Sequence, residues 1–89
     1  MSAVLISYDL NNPGQKYEKV IEAIKSLGDW IHILQSTWIV STSLTSDAVR
    51  DKVKAQADDN DLILVVSITG DSYSGWLRQK SWDWLKKHV

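Results

Sequence analysis

The chain of 89 residues contains no cysteine and a single proline, and no apolar run in it is long enough to span a membrane. Without cysteine there is no disulfide framework and no thiolate chemistry. A membrane-spanning helix needs roughly 18 apolar residues, and the N-terminal stretch MSAVLISYD lacks the basic region and cleavage site of a signal peptide. With an ordinary composition of 44% hydrophobic and 24% charged residues, these absences predict one domain over residues 1–89 of a cytoplasmic protein with no membrane partner.

A strong excess of charge is also absent. The net charge is −1, which argues against a surface coated in positive charge for binding duplex DNA. The distribution is uneven, because Arg78, Lys80, Lys86 and Lys87 against Asp83 give residues 72–89 a charge of +3 and leave −4 on the rest of the chain. Such a basic tail can contact a polyanion, and it is also typical of a solvated helix face.

Apolar periodicity predicts four strands and three helices. Short runs rich in β-branched and aromatic residues indicate strands, and apolar residues recurring every three or four positions indicate helices, with Gly28 ending the first and Thr45 or Ser46 capping the second. The predicted elements are a strand at 3–8, a helix at 17–27, two strands within 30–43 joined at 35–36, a helix at 44–57, a strand at 62–69 and a helix at 76–89. This order predicts an α+β, ferredoxin-like βαββαβ sandwich with a four-stranded antiparallel sheet, plus a Trp-rich C-terminal helix.

The first and fourth predicted strands are apolar on both faces, in the runs AVLISY and LILVVSIT. Two helices can cover only one face of the sheet, and a solvated face normally shows polar residues at alternate positions. The second face is therefore expected to be covered by the Trp-rich C-terminal segment, by a second copy of the chain, or by both.

No GxGxxG, Walker A, CxxC, HExxH or GxSxG motif is present, and His32 and His88 stand too far apart in the sequence to indicate a shared metal site. The five tryptophans are compatible with a stacking platform for bases or sugars, although core packing and an interface explain them better. Trp82 and Trp84 point about 200° apart on a helix, so one of them is expected to be exposed or at an interface.

Asp9 is the best chemical candidate, at the end of the apolar run in LISYDLNNPGQ and directly before a strong turn signal. A carboxylate at a strand end can bind Mg²⁺, especially where a two-fold axis brings a second copy close. An aspartate before an asparagine turn is also ordinary strand-ending chemistry.

Three stretches resemble the CRISPR-associated protein 2 family: LISYDL with its strand-ending Tyr8-Asp9, LQSTWIVSTSLTSDAVRDKV with a Gln-x-Ser hairpin, and DDNDLILVVSI. Virulence-associated ribonuclease toxins share the same scaffold. The resemblance implies a ferredoxin-like homodimer. Many members of the family are metal-dependent endonucleases, in which each subunit contributes the aspartate that matches Asp9. Other members are non-catalytic scaffolds for DNA.

Two features depart from that family. The arginines that often follow the aspartate are replaced by NNPGQKYEK, and the chain ends in a predicted helix where the family dimer is usually closed by a C-terminal strand. The low charge favours a homodimeric nucleotide- or nucleic-acid-binding protein, for example a phage or defence-related scavenger of a nucleotide signal. The predicted ligand-binding residues are Tyr8, Asn11, Asn12, Ser36 and Trp38. The alternatives are a Mg²⁺-dependent endonuclease or endoribonuclease, with Asp9 as catalytic residue and metal ligand, and a protein-interaction module.

Overall fold

The computed structural model describes residues 1–10 and 17–89, which form one antiparallel sheet and three helices. The elements in chain order are β1 Ser2–Asp9, α1 Tyr17–Lys25, β2 Asp29–Leu34, β3 Thr37–Thr42, α2 Ser46–Lys54, β4 Leu62–Ser67 and α3 Gln79–His88. The strand order in the sheet is β2-β3-β1-β4, with antiparallel neighbours throughout. The prediction of a ferredoxin-like βαββαβ fold with a C-terminal helix is confirmed.

The helices and β4 are shorter than their sequence patterns predict, and a threonine hydroxyl marks one end of α2 and one end of β4. Helix α2 begins at Ser46 since the Thr45 hydroxyl accepts a hydrogen bond from the Ala48 amide at 3.2 Å, which caps the helix. The Ile68 amide still donates a hydrogen bond to the Ala3 carbonyl oxygen. The Ala3 amide, however, donates to the Thr69 hydroxyl at 2.8 Å and not to a backbone carbonyl, so strand β4 ends at Ser67. At both places a threonine hydroxyl, and not a backbone carbonyl, accepts the hydrogen bond from a backbone amide.

Strand β1 packs on both of its faces, as its unbroken apolar run predicts. Val4, Ile6 and Tyr8 point toward the face that α1 and α2 cover, and all three are buried. The larger of two apolar clusters lies there, with Val20 and Ile24 of α1, Val49 and Val53 of α2, and Trp38 and Val40 of β3. This face is called the helix face below.

The opposite face of the sheet, called the open face, is only partly covered. Helix α3 packs Leu85 against Ala3, Ile31 and Ile39, all of them buried. Of the covers that the sequence left open, the C-terminal segment packs over β1, β2 and β3. The cover does not extend to the whole of β4.

Both tryptophans of α3 are half-buried, so neither of them is exposed. The other half of the expectation, that one of them lies at an interface, stays a prediction. Trp82 and Trp84 flank the buried Leu85 and both pack against the open-face cluster. Trp82 stacks with Tyr73 at a centroid distance of 6.1 Å, and Trp84 stacks with the His88 ring at 4.1 Å. A helix that lies flat on a sheet buries a wide apolar stripe of its surface, which has room for one tryptophan on each side of the central leucine.

Gly28 is required where the chain passes from α1 into β2. Its φ is +151°, and a Cβ atom at this position would overlap the carbonyl oxygen of Ser41 on β3. Only glycine allows this backbone conformation and this close approach together. In residues 1–10 and 17–89, no helix has the length and apolar composition needed to cross a membrane.

Candidate functional site

Asp9 is the last residue of β1 and is exposed on the open-face side of the sheet. It pairs in register with Leu62, the first residue of β4, while Ser7 pairs with Leu64. Alternation along β1 therefore places Asp9 and Ser7 on one face, opposite to Tyr8. The Asp9 carboxylate is available to a ligand or to a second chain.

Hydroxyl groups lie next to this carboxylate on the same face. The Ser7 and Thr37 side-chain oxygens are 3.2 Å apart, in a pair that joins β1 to β3. Sequence reasoning missed both residues. The signal was available, because Ser7 stands two residues before Asp9 and so shares its side of the strand.

A shallow cleft of about 260 Å³ lies at this strand end and is lined by Ser7, Tyr8, Asp9, Leu62, Ile63 and Leu64. One side of it is polar and the other is apolar. The apolar side continues along the outer edge of the sheet, where Leu62 is 67% exposed, Leu64 61% and Val66 39%. We call these three residues the β4 row.

Tyr8 and Trp38, both predicted to bind a ligand, lie in the core under the helix face. They are 6% and 2% exposed, and the Trp38 indole Nε1–H donates a hydrogen bond to the Tyr8 hydroxyl at 3.1 Å. The Tyr17 ring meets Tyr8 edge-on at 6.0 Å. Burial raises the pKa of Tyr8 above its usual value, partly offset by the Trp38 hydrogen bond. The phenol therefore stays neutral at physiological pH and accepts a hydrogen bond from the core.

Ser36 lies in the turn between β2 and β3, beside the same end of the sheet. Its carbonyl oxygen accepts a hydrogen bond from the Tyr8 amide at 3.1 Å, so Ser36 lies close to the Tyr8–Asp9 strand end. Its side chain is half-buried. The other two predicted ligand residues, Asn11 and Asn12, lie outside the described residues.

A metal ion would find a single carboxylate here in one chain. Within residues 1–10 and 17–89, no three His, Asp or Glu side chains come close enough to hold an ion together. Magnesium prefers an octahedral shell of oxygens and commonly uses one or two carboxylates with waters and phosphate. Asp9 fits that donor set if a second copy supplies its own Asp9, which is the arrangement that the family resemblance implies.

A second group of polar and aromatic residues surrounds a larger cleft of about 500 Å³ at the opposite edge of the sheet, between β2 and the start of α3. It is lined by His32, Ile33, Leu34, Gln35, Trp76, Leu77, Arg78, Lys80 and Ser81. His32 is exposed and stacks flat on Trp38 with centroids 4.1 Å apart, and its Nε2 is 3.0 Å from the Gln35 carbonyl oxygen. Sequence reasoning noted the basic tail and the tryptophans separately but did not join them into one site.

No protein-family model matches the chain, and no curated protein matches it either.

Proposed function

We propose that the protein is a homodimeric nucleotide- or nucleic-acid-binding protein similar to the CRISPR-associated protein 2 family. The observation that carries the proposal is the position of exposed Asp9 beside the uncovered β4 row at the end of the sheet. A ligand cleft is expected where two copies meet over this row. The capture of a nucleotide signal is the role that this arrangement suits.

The β4 row supports a second copy of the chain as the partner. Leu62, Leu64 and Val66 stand on an edge strand, where backbone groups are also free to pair. Contiguous exposed apolar side chains on an edge otherwise invite aggregation, and burial is worth roughly 25 cal/mol per Å². A two-fold dimer uses one self-complementary patch twice, so the row of one copy packs on the row of the other.

The polar half of the cleft supports a phosphate-bearing ligand. The Ser7 and Thr37 hydroxyls lie on the face that would line a dimer cleft, and hydroxyls are good donors to phosphate oxygens. Asp9 from each subunit adds negative charge, which repels an anion unless a divalent ion lies between them. Binding without catalysis therefore predicts that neutralising Asp9 preserves or improves the affinity for an anionic ligand.

The exposure of Asp9 favours a second candidate, a Mg²⁺-dependent endonuclease. Two Asp9 carboxylates brought together by the dimer would hold the ion, which polarises a phosphate and activates water for attack. In that case the hydroxyls of Ser7 and Thr37 would position the scissile backbone. Assembly is common to both candidates, whereas cleavage belongs only to the second.

The dimer is tested by light scattering at micromolar concentration on the wild type and on Leu64→Lys. The wild type is expected to have a mass near twice 10.1 kDa, and the variant a mass near 10.1 kDa, because the charge would be buried in the interface. Leu34→Lys is the matched control, since Leu34 is 56% exposed on the other edge strand. A monomeric wild type, or a dimeric Leu64→Lys variant, would contradict the proposed interface.

The ligand is tested with single-stranded RNA, single-stranded DNA, ATP and cyclic dinucleotides, with and without Mg²⁺. We expect binding without cleavage, and equal or tighter binding by Asp9→Asn. Asp47→Asn is the control, because Asp47 is an exposed carboxylate in the first turn of α2. This turn follows the end of β3 that pairs with Ser2, at the other end of β1 from Asp9. Cleavage by the wild type that Asp9→Asn abolishes would establish the nuclease instead. A dimer that binds none of these ligands would refute both candidates in favour of a protein-interaction module.

A further inference from the structure

The cleft between β2 and the start of α3 combines an aromatic ring, two cations and polar atoms at one place. Trp76 and Arg78 come from the segment that leads into α3, Lys80 from its first turn, and His32 and Gln35 from β2 and the turn after it. A neighbouring cleft of about 350 Å³ shares His32 and Lys80 and adds the rings of Trp30 and Trp84. The two clefts form one track along the outer edge of β2.

Trp76 is the most exposed large side chain of the track, with 99% of its surface accessible. Its neighbour Leu77 packs against the open-face cluster and so anchors the backbone. Trp76 is thereby held on the outside of a fixed segment with both faces of its indole uncovered. A tryptophan that contributes nothing to the core, on an anchored backbone, is suited to stacking on a planar ligand.

The charges of the track are all of one sign. Arg78 and Lys80 are exposed, and neither forms an ion pair with a carboxylate in the part of the chain that the structure describes. No Asp or Glu lines either cleft. The nearest acidic residue of α3 by sequence, Asp83, accepts a hydrogen bond from Gln79 at 3.0 Å. Two unneutralised cations beside a free indole are complementary to an anion that carries a planar ring.

We propose that this track binds single-stranded nucleic acid, with a base stacked on Trp76 and the adjacent phosphates held by Arg78 and Lys80. Stacking on aromatic rings and cations that follow the backbone are the two recurring components of single-strand binding. Duplex DNA is excluded as the main ligand, because paired bases are not available to Trp76 and two cations neutralise few phosphates. An apolar protein surface would leave the same two cations desolvated without partners.

This single-strand site is separate from the cleft at Asp9. It lies on β2, whereas the β4 row lies on the other edge strand of the sheet. Both belong to the nucleic-acid function proposed above, and each has its own variants. A change of binding in Leu64→Lys or Asp9→Asn concerns the dimer cleft, while loss of binding in Trp76 or Arg78 variants concerns the track.

The test is fluorescence anisotropy with a labelled oligouridine and a labelled oligothymidine of about eight nucleotides. Trp76→Ala is expected to weaken binding by about 10- to 100-fold, the contribution of one base stacked on an aromatic ring. The double variant Arg78→Gln/Lys80→Gln is expected to weaken binding and to lower the slope of log affinity against log salt by about 1.4, measured between about 50 and about 200 mM salt.

The control variants remove an equal number of positive charges, or an exposed apolar surface, at positions outside the track. Lys52→Gln/Lys86→Gln loses two cations outside the track, and Tyr73→Ala loses a 43% exposed aromatic ring that lines neither cleft of the track. Both are expected to bind the oligonucleotide at the track as the wild type does, and circular dichroism confirms that Trp76→Ala is folded.

Three results would overturn the proposal. They are a wild type that binds neither oligonucleotide, a Trp76→Ala variant that binds as tightly as the wild type, and uridine monophosphate competing as well as the oligonucleotide does.

Discussion

The position of Leu85 under α3 predicts that Leu85→Ala strongly destabilises the protein. Leu85 is 3% exposed and packs with Ala3, Ile31 and Ile39, so it joins α3 to three strands of the sheet. Replacing a buried leucine by alanine costs about 2–5 kcal/mol, through lost transfer energy and the cavity left behind. Because α3 lies at the surface and can settle toward the sheet, we expect about 2–3 kcal/mol, the lower part of that range.

Urea unfolding followed by far-UV circular dichroism measures this free energy of unfolding directly. Lys86→Ala is the matched control, because Lys86 is the next residue of α3 and is exposed. The control is expected to lie within about 0.5 kcal/mol of the wild type. In a thermal scan, Leu85→Ala is expected to lower the Tm by about 10–20 °C, since 1 kcal/mol corresponds to roughly 4–8 °C in a domain of this size.

The reasoning fails if Leu85→Ala is as stable as Lys86→Ala. Such a result would mean that α3 adds little packing energy, and that the open face is covered by something other than the C-terminal segment. It would also weaken the single-strand track, because the positions of Arg78 and Lys80 depend on the docking of α3.

Two further sites give predictions of their own. Tyr8→Phe is expected to lower the free energy of unfolding by about 1–3 kcal/mol, because it leaves the buried Trp38 N–H without its acceptor. Urea unfolding at neutral pH measures this change. Since burial raises the pKa of Tyr8 in the folded state, the contribution of this group to stability is full below about pH 10 and is lost as pH rises through the folded pKa. The alkaline loss of stability should therefore be smaller in Tyr8→Phe than in the wild type, and equal losses would contradict this assignment. Gly28→Ala is expected to destabilise by about 2 kcal/mol or more, because its Cβ would overlap the Ser41 carbonyl at a positive φ. Gly75→Ala, also at positive φ but with open space around it, separates the overlap from the backbone strain and should cost less.

Much of the fold could be predicted because its causes are local. Apolar residues at alternate positions or at three- and four-residue spacing define the strands and helices, and a βαββαβ order has few compact solutions. The two-sided apolar character of β1 predicted a cover for the second face, and Leu85 of α3 supplies part of it. The helix ends were less predictable, because the helical sequence pattern continues past a capping residue such as Thr45 and so does not mark where the helix begins.

The candidate site was predicted only in part. Asp9 lies exposed at the strand end as expected, and Ser36 lies beside it. Tyr8 was proposed as a ligand contact, yet it shares the parity of Val4 and Ile6 and points into the core. Alternation in a strand has a period of two, so neighbours such as Tyr8 and Asp9 necessarily face opposite sides.

The sequence by itself determined the order of elements, the burial of both faces of β1 and the location of Asp9 at a strand end, since each follows from short-range pattern and turn chemistry. Only the tertiary structure decided which side chains of the C-terminal segment pack and which remain outside. Leu77 and Leu85 dock on the sheet, and that docking leaves Trp76 uncovered beside Arg78. Nothing local distinguishes Trp76 from the other tryptophans, because its exposure results from how an extended segment crosses β2, more than 40 positions earlier in the chain.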